Sequence, residues 1–210
     1  MNNLNQKENP LLFWISKVGD FCALSVLWLL LCIPIITFIP ASIALFDSVA
    51  HCIHGPEDGS VRRFFKTLKN ELPRGILLSL IWLMIGFGLI YGYTILLQLA
   101  QTTPAMATYA QIYLFTMLIP VGILSWLIPV ESRFHHSFFG LFRVSAFYAI
   151  SHLPTTAILL FVLGLGIAVI LFSQLYILVL LLPAIIVTVQ CWFVERIFRK
   201  YIPQEEETND

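Results

Sequence analysis

A chain of 210 residues that is 59% hydrophobic and 11% charged, with a mean hydropathy of +0.86, has too few polar groups to cover a water-soluble surface. Its formal net charge of zero leaves no global field that would recruit nucleic acid or an acidic substrate. The composition reads as one all-α membrane domain over 1–210. It divides into a polar amino terminus (1–10), a transmembrane helix bundle (11–195) and a polar tail (196–210).

The opening MNNLNQKENP lacks the apolar region and small-residue cleavage site of a signal peptide, so the first apolar segment is expected to stay in the mature protein. That segment runs from Phe21 to Ile53, and as one straight helix it would be ~50 Å long, too long for one simple crossing. Pro34 and Pro40 interrupt it, and proline removes a backbone donor and clashes with the preceding turn. The spacing predicts a helix to about Ile33, a turn with Thr37 in non-helical backbone, and a shorter helix from about Pro40 to His54. Asp20, just before the run, is read as a cap on its first amides or as a partner for a basic residue.

The longest polar stretch, His54 to Arg74, reads as a loop or a loop with a short surface helix. Four stretches then carry no Asp, Glu, Lys or Arg: Ile76–Ala100, Ile112–Val130, Thr155–Phe172 and Leu175–Val194. About 20 such residues, at ~1.5 Å each, cross a ~30 Å hydrocarbon layer. Between them, Leu72-Pro73 and Leu153-Pro154 each read as a helix start after a basic, phenylalanine-rich loop (Arg62–Lys66 and Phe138–Arg143). Each leads into a Gly-x-Gly pair, Gly86/Gly88 and Gly164/Gly166, that would let helices approach closely. The recurrence suggests a duplicated unit.

Lys and Arg cluster at Arg62–Arg74, at Arg133–Arg143 and at Arg196–Lys200, whereas the turns near Gln101–Ala105 and Ser173–Gln174 are uncharged. Cytoplasmic loops are enriched in Lys and Arg, so the three basic regions and the carboxyl tail are expected inside. Folding back at Pro34 gives six membrane segments with both termini inside; a single crossing there gives five. Six is preferred because the second half-segment is short.

Candidate chemistry is sparse. Asp47, His51 and His54 are spaced to share one helix face, a pattern that can hold zinc or relay a proton or simply meet headgroups and water. Glu131-Ser132-Arg133 suits a local ion pair or an anion contact, and His135-His136 lacks a supporting ligand cluster. The four cysteines sit in apolar segments without CxxC spacing and read as small buried residues. No nucleophile with a base and no phosphate-binding loop is recognisable, so the chain is read as no enzyme, without catalytic, cofactor or metal residues. Arg62, Arg63, Lys66 and Lys69, interleaved with Phe64 and Phe65, suit contact with anionic lipid or with a protein partner.

Several runs are also shared with a known family: Gly19-Asp20, Leu27-Trp28-Leu29-Leu30, Pro34-Ile35-x-Thr37, Pro40-Ala41, Ala44-Leu45, Phe64-Phe65-Lys66, Lys69-Asn70, Ser132-Arg133-Phe134 and His152-Leu153-Pro154. Over about 13–195 the chain resembles the YesL family of bacterial integral membrane proteins, defined by a domain of unknown function. Asp47, His51 and Ser151 depart from that pattern. The resemblance implies a multi-pass protein of the bacterial cell membrane, encoded near systems for uptake and breakdown of plant-type oligosaccharides. No enzymatic activity is established for the family.

The expected role is therefore an accessory or regulatory component of carbohydrate uptake. Its partners would be the lipid bilayer and an ABC-type sugar transporter or another membrane protein, with homo-oligomers left open. The competing expectation is a small transporter or permease subunit, for which the Pro34–Pro40 break and Gln98, Gln174 and Gln190 are the polar candidates; an intramembrane enzyme built on Asp47, His51 and His54 is the third. Single-cysteine labelling from outside the cell should leave positions 62–69, 138–143 and those after 199 unmodified, and should modify Thr103→Cys. Outside labelling at position 3 would sink the six-segment path in favour of five.

Overall fold

A computed structural model of the chain describes residues 10–54, 59–103, 105–134, 137–172 and 176–201. Seven α-helices follow one another among these residues: α1 Pro10–Cys32, α2 Phe38–His54, α3 Ser60–Thr102, α4 Ala105–Arg133, α5 Phe138–Ser151, α6 Leu153–Phe172 and α7 Tyr176–Tyr201. A single 3-10 turn, Ile35–Thr37, joins α1 to α2. Three stretches are long and apolar enough to cross a membrane: Ile35–Cys52, Ser60–Thr102 and Ala105–Arg133. The pair α5–α6, bent by 98° at His152, is a fourth if it counts as one span. Parts of α1 and α7 carry side chains outside the described residues.

The break expected between Pro34 and Pro40 is present. Helix α1 stops at Cys32 because the residue before a proline is pushed out of the helical region. The Thr37 hydroxyl donates to the Pro34 carbonyl (2.8 Å) and also lies against the Leu31 carbonyl, so the oxygens freed at the break find a partner. Thr37 itself belongs to the 3-10 turn rather than to irregular backbone. Pro40 falls in the first turn of α2, where its missing N–H does no harm. One residue earlier, the Ile39 amide donates to the Ser79 hydroxyl of α3 at 3.2 Å, which satisfies an amide left open at the helix start.

Helix α2 is the enclosed centre of the molecule. Ile39 to Phe46 are all buried, and the helix packs against α1, α3, α4 and α7. Its tightest crossing is with α3: a Cβ placed on Gly75 would sit 2.6 Å from the Pro40 Cβ. The Trp28 indole donates to the Ser42 hydroxyl at 3.1 Å and ties α1 to the same helix. Two apolar clusters flank α2. One is built on Phe46, Trp126, Leu141 and Phe198, the other on Leu24, Leu45, Phe64 and Leu68.

Three expectations need correction. The polar stretch before Arg74 is no loop: from Ser60 onward it is the first third of α3, and Pro73 lies inside that 43-residue helix instead of starting one. Proline within a helix costs ~3 kcal/mol. Here the preceding turns bury Phe64 and Leu68 completely or nearly so, and each such side chain contributes about 1.5–3 kcal/mol. Phe138–Arg143 is likewise helical, within α5, and only Leu153-Pro154 marks a true helix start. Asp20 does not cap a helix, because α1 begins ten residues earlier at Pro10; its carboxylate accepts the Ser60 hydroxyl at 3.2 Å instead.

The Gly-x-Gly expectation also fails in part. Gly86, Gly88 and Gly164 have no atom within 4 Å of the point a Cβ would occupy, and only Gly166 is crowded, by Ile186 and Leu182. Gly86 and Gly88 fall on the part of α3 beyond Ser79, where no described residue is buried. With the first half of α4 this part forms a hairpin, closed where Gly92 meets the Tyr113 ring, whose faces are exposed apolar side chains such as Phe87 (74%) and Phe115 (67%).

The contrast between glycines makes a test of opposite signs. Gly75→Ala forces Pro40 away and should destabilise the fold by about 1–3 kcal/mol, despite the better helix propensity of alanine. Gly88→Ala meets nothing and should be neutral or stabilising by up to ~1 kcal/mol. Unfolding midpoints in one detergent at one heating rate check both.

Candidate functional site

The titratable side chains gather at one end of the bundle, where the last turns of α2 and α4 meet the first turns of α3. Asp47 on α2 receives a forked contact from Arg63 on α3, Nε to Oδ2 and Nη2 to Oδ1, both at 2.8 Å. The Thr67 hydroxyl, one turn along, donates to Oδ2 at 2.7 Å. The remaining Arg63 nitrogen, Nη1, lies 3.2 Å from His51 Nδ1. Since arginine can only donate, His51 accepts through Nδ1 and carries its proton on Nε2. The half-polar face of α2 is therefore a seat for Arg63. Its third member, His54, has a side chain outside the described residues, as do Glu57, His135 and His136. Among the described residues no group of three or more His, Cys, Asp and Glu is placed to hold a metal.

Glu131-Ser132-Arg133 suits a local ion pair or an anion contact in the sequence, but the two charges do not pair with each other. They reach instead to different helices. Glu131 at the end of α4 is wholly enclosed and pairs with Arg74 of α3 at 2.9 Å. Arg133 pairs with Glu195 of α7. Adjacent positions on a helix point apart, so residues two apart serve two neighbours rather than one another. Three ion pairs thus join α2 to α3, α3 to α4, and α4 to α7.

Around Arg63 the surface forms a cavity of about 560 Å³ lined by Asp47, His51, Gly59, Arg62, Arg63, Lys66, Thr67 and Asn70. Arg62, Lys66 and Lys69 are exposed on α3, as a contact surface requires, whereas Arg63 is engaged by Asp47. Only some of the neighbouring phenylalanines are available to a lipid surface. Phe65 and Phe139 are exposed, but Phe64 is buried and Phe134, Phe138 and Phe142 pack on the main core.

A second cavity of about 290 Å³ lies between α1, α2, α4, α6 and α7. Its walls are apolar, from Trp28, Phe38 and Leu45 to Leu163 and Ile186, with Ser42, Ser125 and Gln190 as the polar members. Ser42 and Ser125 each donate to a carbonyl four residues back.

The remaining residues singled out in the sequence lie apart from this cluster. Gly19 and Pro34 are exposed on α1 and its terminating bend. Phe134 meets Phe198 of α7 edge to face at 5.5 Å. His152, at the α5–α6 bend, stacks on Tyr148 with centroids 6.2 Å apart, and Pro154 lies in the first turn of α6. Thr156 escaped the sequence reading: its hydroxyl serves the Ala149 and His152 carbonyls (3.0 and 3.1 Å) and accepts the fully buried Trp126 indole at 2.9 Å. Arg74 and Glu131 were also missed as a pair. Their signal is their position, opposite charges each abutting a charge-free run.

Residues 21–93, from α1 to the last quarter of the long helix α3, match a protein family of unknown function, DUF624. No curated protein and no solved structure matches the chain.

The enclosed pair offers a direct test. Arg74→Met takes the paired guanidinium away from the enclosed Glu131 carboxylate and should destabilise by about 3–5 kcal/mol. The double variant R74M/E131M removes both charges and should recover most of that loss. A double variant as unstable as the single, measured by unfolding midpoint in detergent, would mean that the pair contributes packing rather than charge compensation.

Proposed function

We propose that this chain is an integral membrane protein, YesL-like, that serves as an accessory or regulatory component of bacterial carbohydrate uptake. It holds a separate transporter or sensor through its exposed helices and its basic surface. The observation that carries the reading is the division of labour in the molecule. Charged side chains at the bundle end brace helix against helix, and the α3–α4 hairpin offers apolar faces such as Phe87, Ile90 and Phe115 outward. Groups that brace helices are poorly suited to chemistry on a substrate, and an apolar hairpin suits lipid and membrane-protein neighbours. The carbohydrate link rests on the family resemblance alone; the match to DUF624, a family of unknown function, spans Trp28, Pro34, Thr37 and Pro40.

In this reading the bundle end carrying Arg62, Lys66, Lys69 and Arg133 faces the cytoplasm. The fold-back at Pro34 favours the six-segment path over five. The alternative is a permease. Helix breaks at Ile35–Thr37 and at His152, and a cavity among five helices holding Gln190, are the features that favour it.

Purified protein in liposomes separates the two. The accessory reading expects no oligosaccharide flux above the empty-vesicle rate. It also expects that deleting the gene lowers the activity or abundance of a distinct uptake complex. Saturable flux through the isolated chain would overturn it and establish the permease.

A further inference from the structure

We infer that the cavity beside the Asp47–Arg63 pair is a binding site for a phosphate group, supplied by an anionic phospholipid headgroup or by a soluble phosphate. The site does not depend on the accessory reading, since it needs no protein partner.

The argument starts from hydrogen-bonding capacity. Asp47 is the one carboxylate among the described residues that line this cavity. Its two oxygens already accept three donors, two from Arg63 and one from Thr67. What the walls still offer is donation. Arg62, Lys66 and Asn70 follow one another at intervals of four residues, so they form a stripe along one face of α3. All three are exposed. His51, which accepts from Arg63 through Nδ1, keeps its Nε2 proton to give. A guanidinium, an ammonium, an amide and an imidazole N–H around one cavity complement a tetrahedral oxyanion with several acceptor oxygens. A cation meets two like charges there, beside a carboxylate already held by three donors, and a neutral sugar leaves both positive charges unanswered.

The fixed geometry strengthens the point. Arg63 is clamped by Asp47 and His51, so α2 and α3 hold the cavity walls in register. Asn70, the inner end of the stripe, lies six residues before the charge-free run that begins at Ile76, or ~9 Å along the helix. That distance sets Asn70 at the outer edge of the headgroup layer, which extends ~5–8 Å on each side of a ~30 Å hydrocarbon core. A volume of about 560 Å³ accommodates a phosphate together with part of a headgroup.

The test uses the full chain in a neutral detergent and follows the unfolding midpoint at a fixed heating rate. One arm adds dioleoyl phosphatidylglycerol, a second dioleoyl phosphatidylcholine, and a third inorganic phosphate with sulfate-free buffer matched in ionic strength. A ligand that reaches ~100 times its Kd should raise Tm by about 5–11 °C. A rise with phosphatidylglycerol but not with phosphatidylcholine or inorganic phosphate identifies a headgroup. A rise with inorganic phosphate as well identifies a soluble phosphate. Both results support the site only if R62Q/K66Q loses most of the shift while K69Q, outside the cavity wall, retains it. Equal losses in the two variants would reduce the effect to diffuse surface charge and overturn the proposal. No shift in any arm overturns it too, since the cations would then be neutralised by the chain's own carboxylates.

Discussion

The contact on which the fold turns is a proline ring lying on a glycine. Pro40 and Gly75 approach so closely that no side chain fits between them, and this sets the separation of α2 and α3. Because the two helices run this near, Ser79 of α3 can accept the Ile39 amide, and Arg63 can reach Asp47 with both arms of its fork. A larger residue at 75 would push the helices apart and weaken all these links together. The enclosure of α2 follows from the same closeness. Small residues such as Ala41, Ser42 and Ala44 line its faces, and α1, α3, α4 and α7 gather around it. Small side chains at a crossing are the usual way for helices to pack where lipid tails compete for apolar contact.

The two Leu-Pro steps show how one local sequence gives two shapes. Aligned on them, Gly75 stands where Thr156 stands in the second half. After Leu72-Pro73 the chain continues as helix, and the glycine receives Pro40 from α2. After Leu153-Pro154 a new helix starts at 98° to the one before it. There the threonine hydroxyl binds the carbonyls of Ala149 and His152 across the bend, and its own amide also donates to the His152 carbonyl at 2.9 Å. Its methyl group faces a glycine on the neighbouring helix, Gly122, where a Cβ would lie 3.1 Å away. Small and large have exchanged places across the contact.

How far the sequence spoke for the structure depended on the range of the interaction. The break at Pro34 was legible because it is local: proline acts on its own turn and on the residue before it. The four charge-free runs were legible for the same reason, since apolarity needs no partner to be counted. Pro73 misled because its local penalty was outweighed by burial of Phe64 and Leu68 against Leu24 and Leu45, residues some 20 to 40 positions away. Asp47 and His51 were read as a free polar face, and their occupant, Arg63, comes from another helix. The assignment of Glu131 to Arg133 failed similarly. The partners that the structure supplies, Arg74 and Glu195, adjoin different apolar runs, and sequence spacing cannot say which runs will be neighbours.

These long-range pairs have a physical task that apolar contact cannot perform alone. One leucine-rich face packs on another in many registers of similar energy, and lipid tails are nearly as good a neighbour as either. Register must come from steric keys and polar latches. The described helices carry keys at Gly75, Gly122 and Gly166, and latches at Asp47–Arg63, Arg74–Glu131 and Arg133–Glu195. All the latches lie at the bundle end, away from the hairpin formed beyond Ser79 of α3 and before Val121 of α4. Within that hairpin Gly92 and Tyr113 key the two arms to each other. Its threonines Thr94, Thr102 and Thr116 donate to carbonyls of their own helices. The molecule is therefore specified unevenly, with a cross-braced end that fixes its own geometry and an apolar arm, long enough to cross a membrane, whose outer faces no described residue covers.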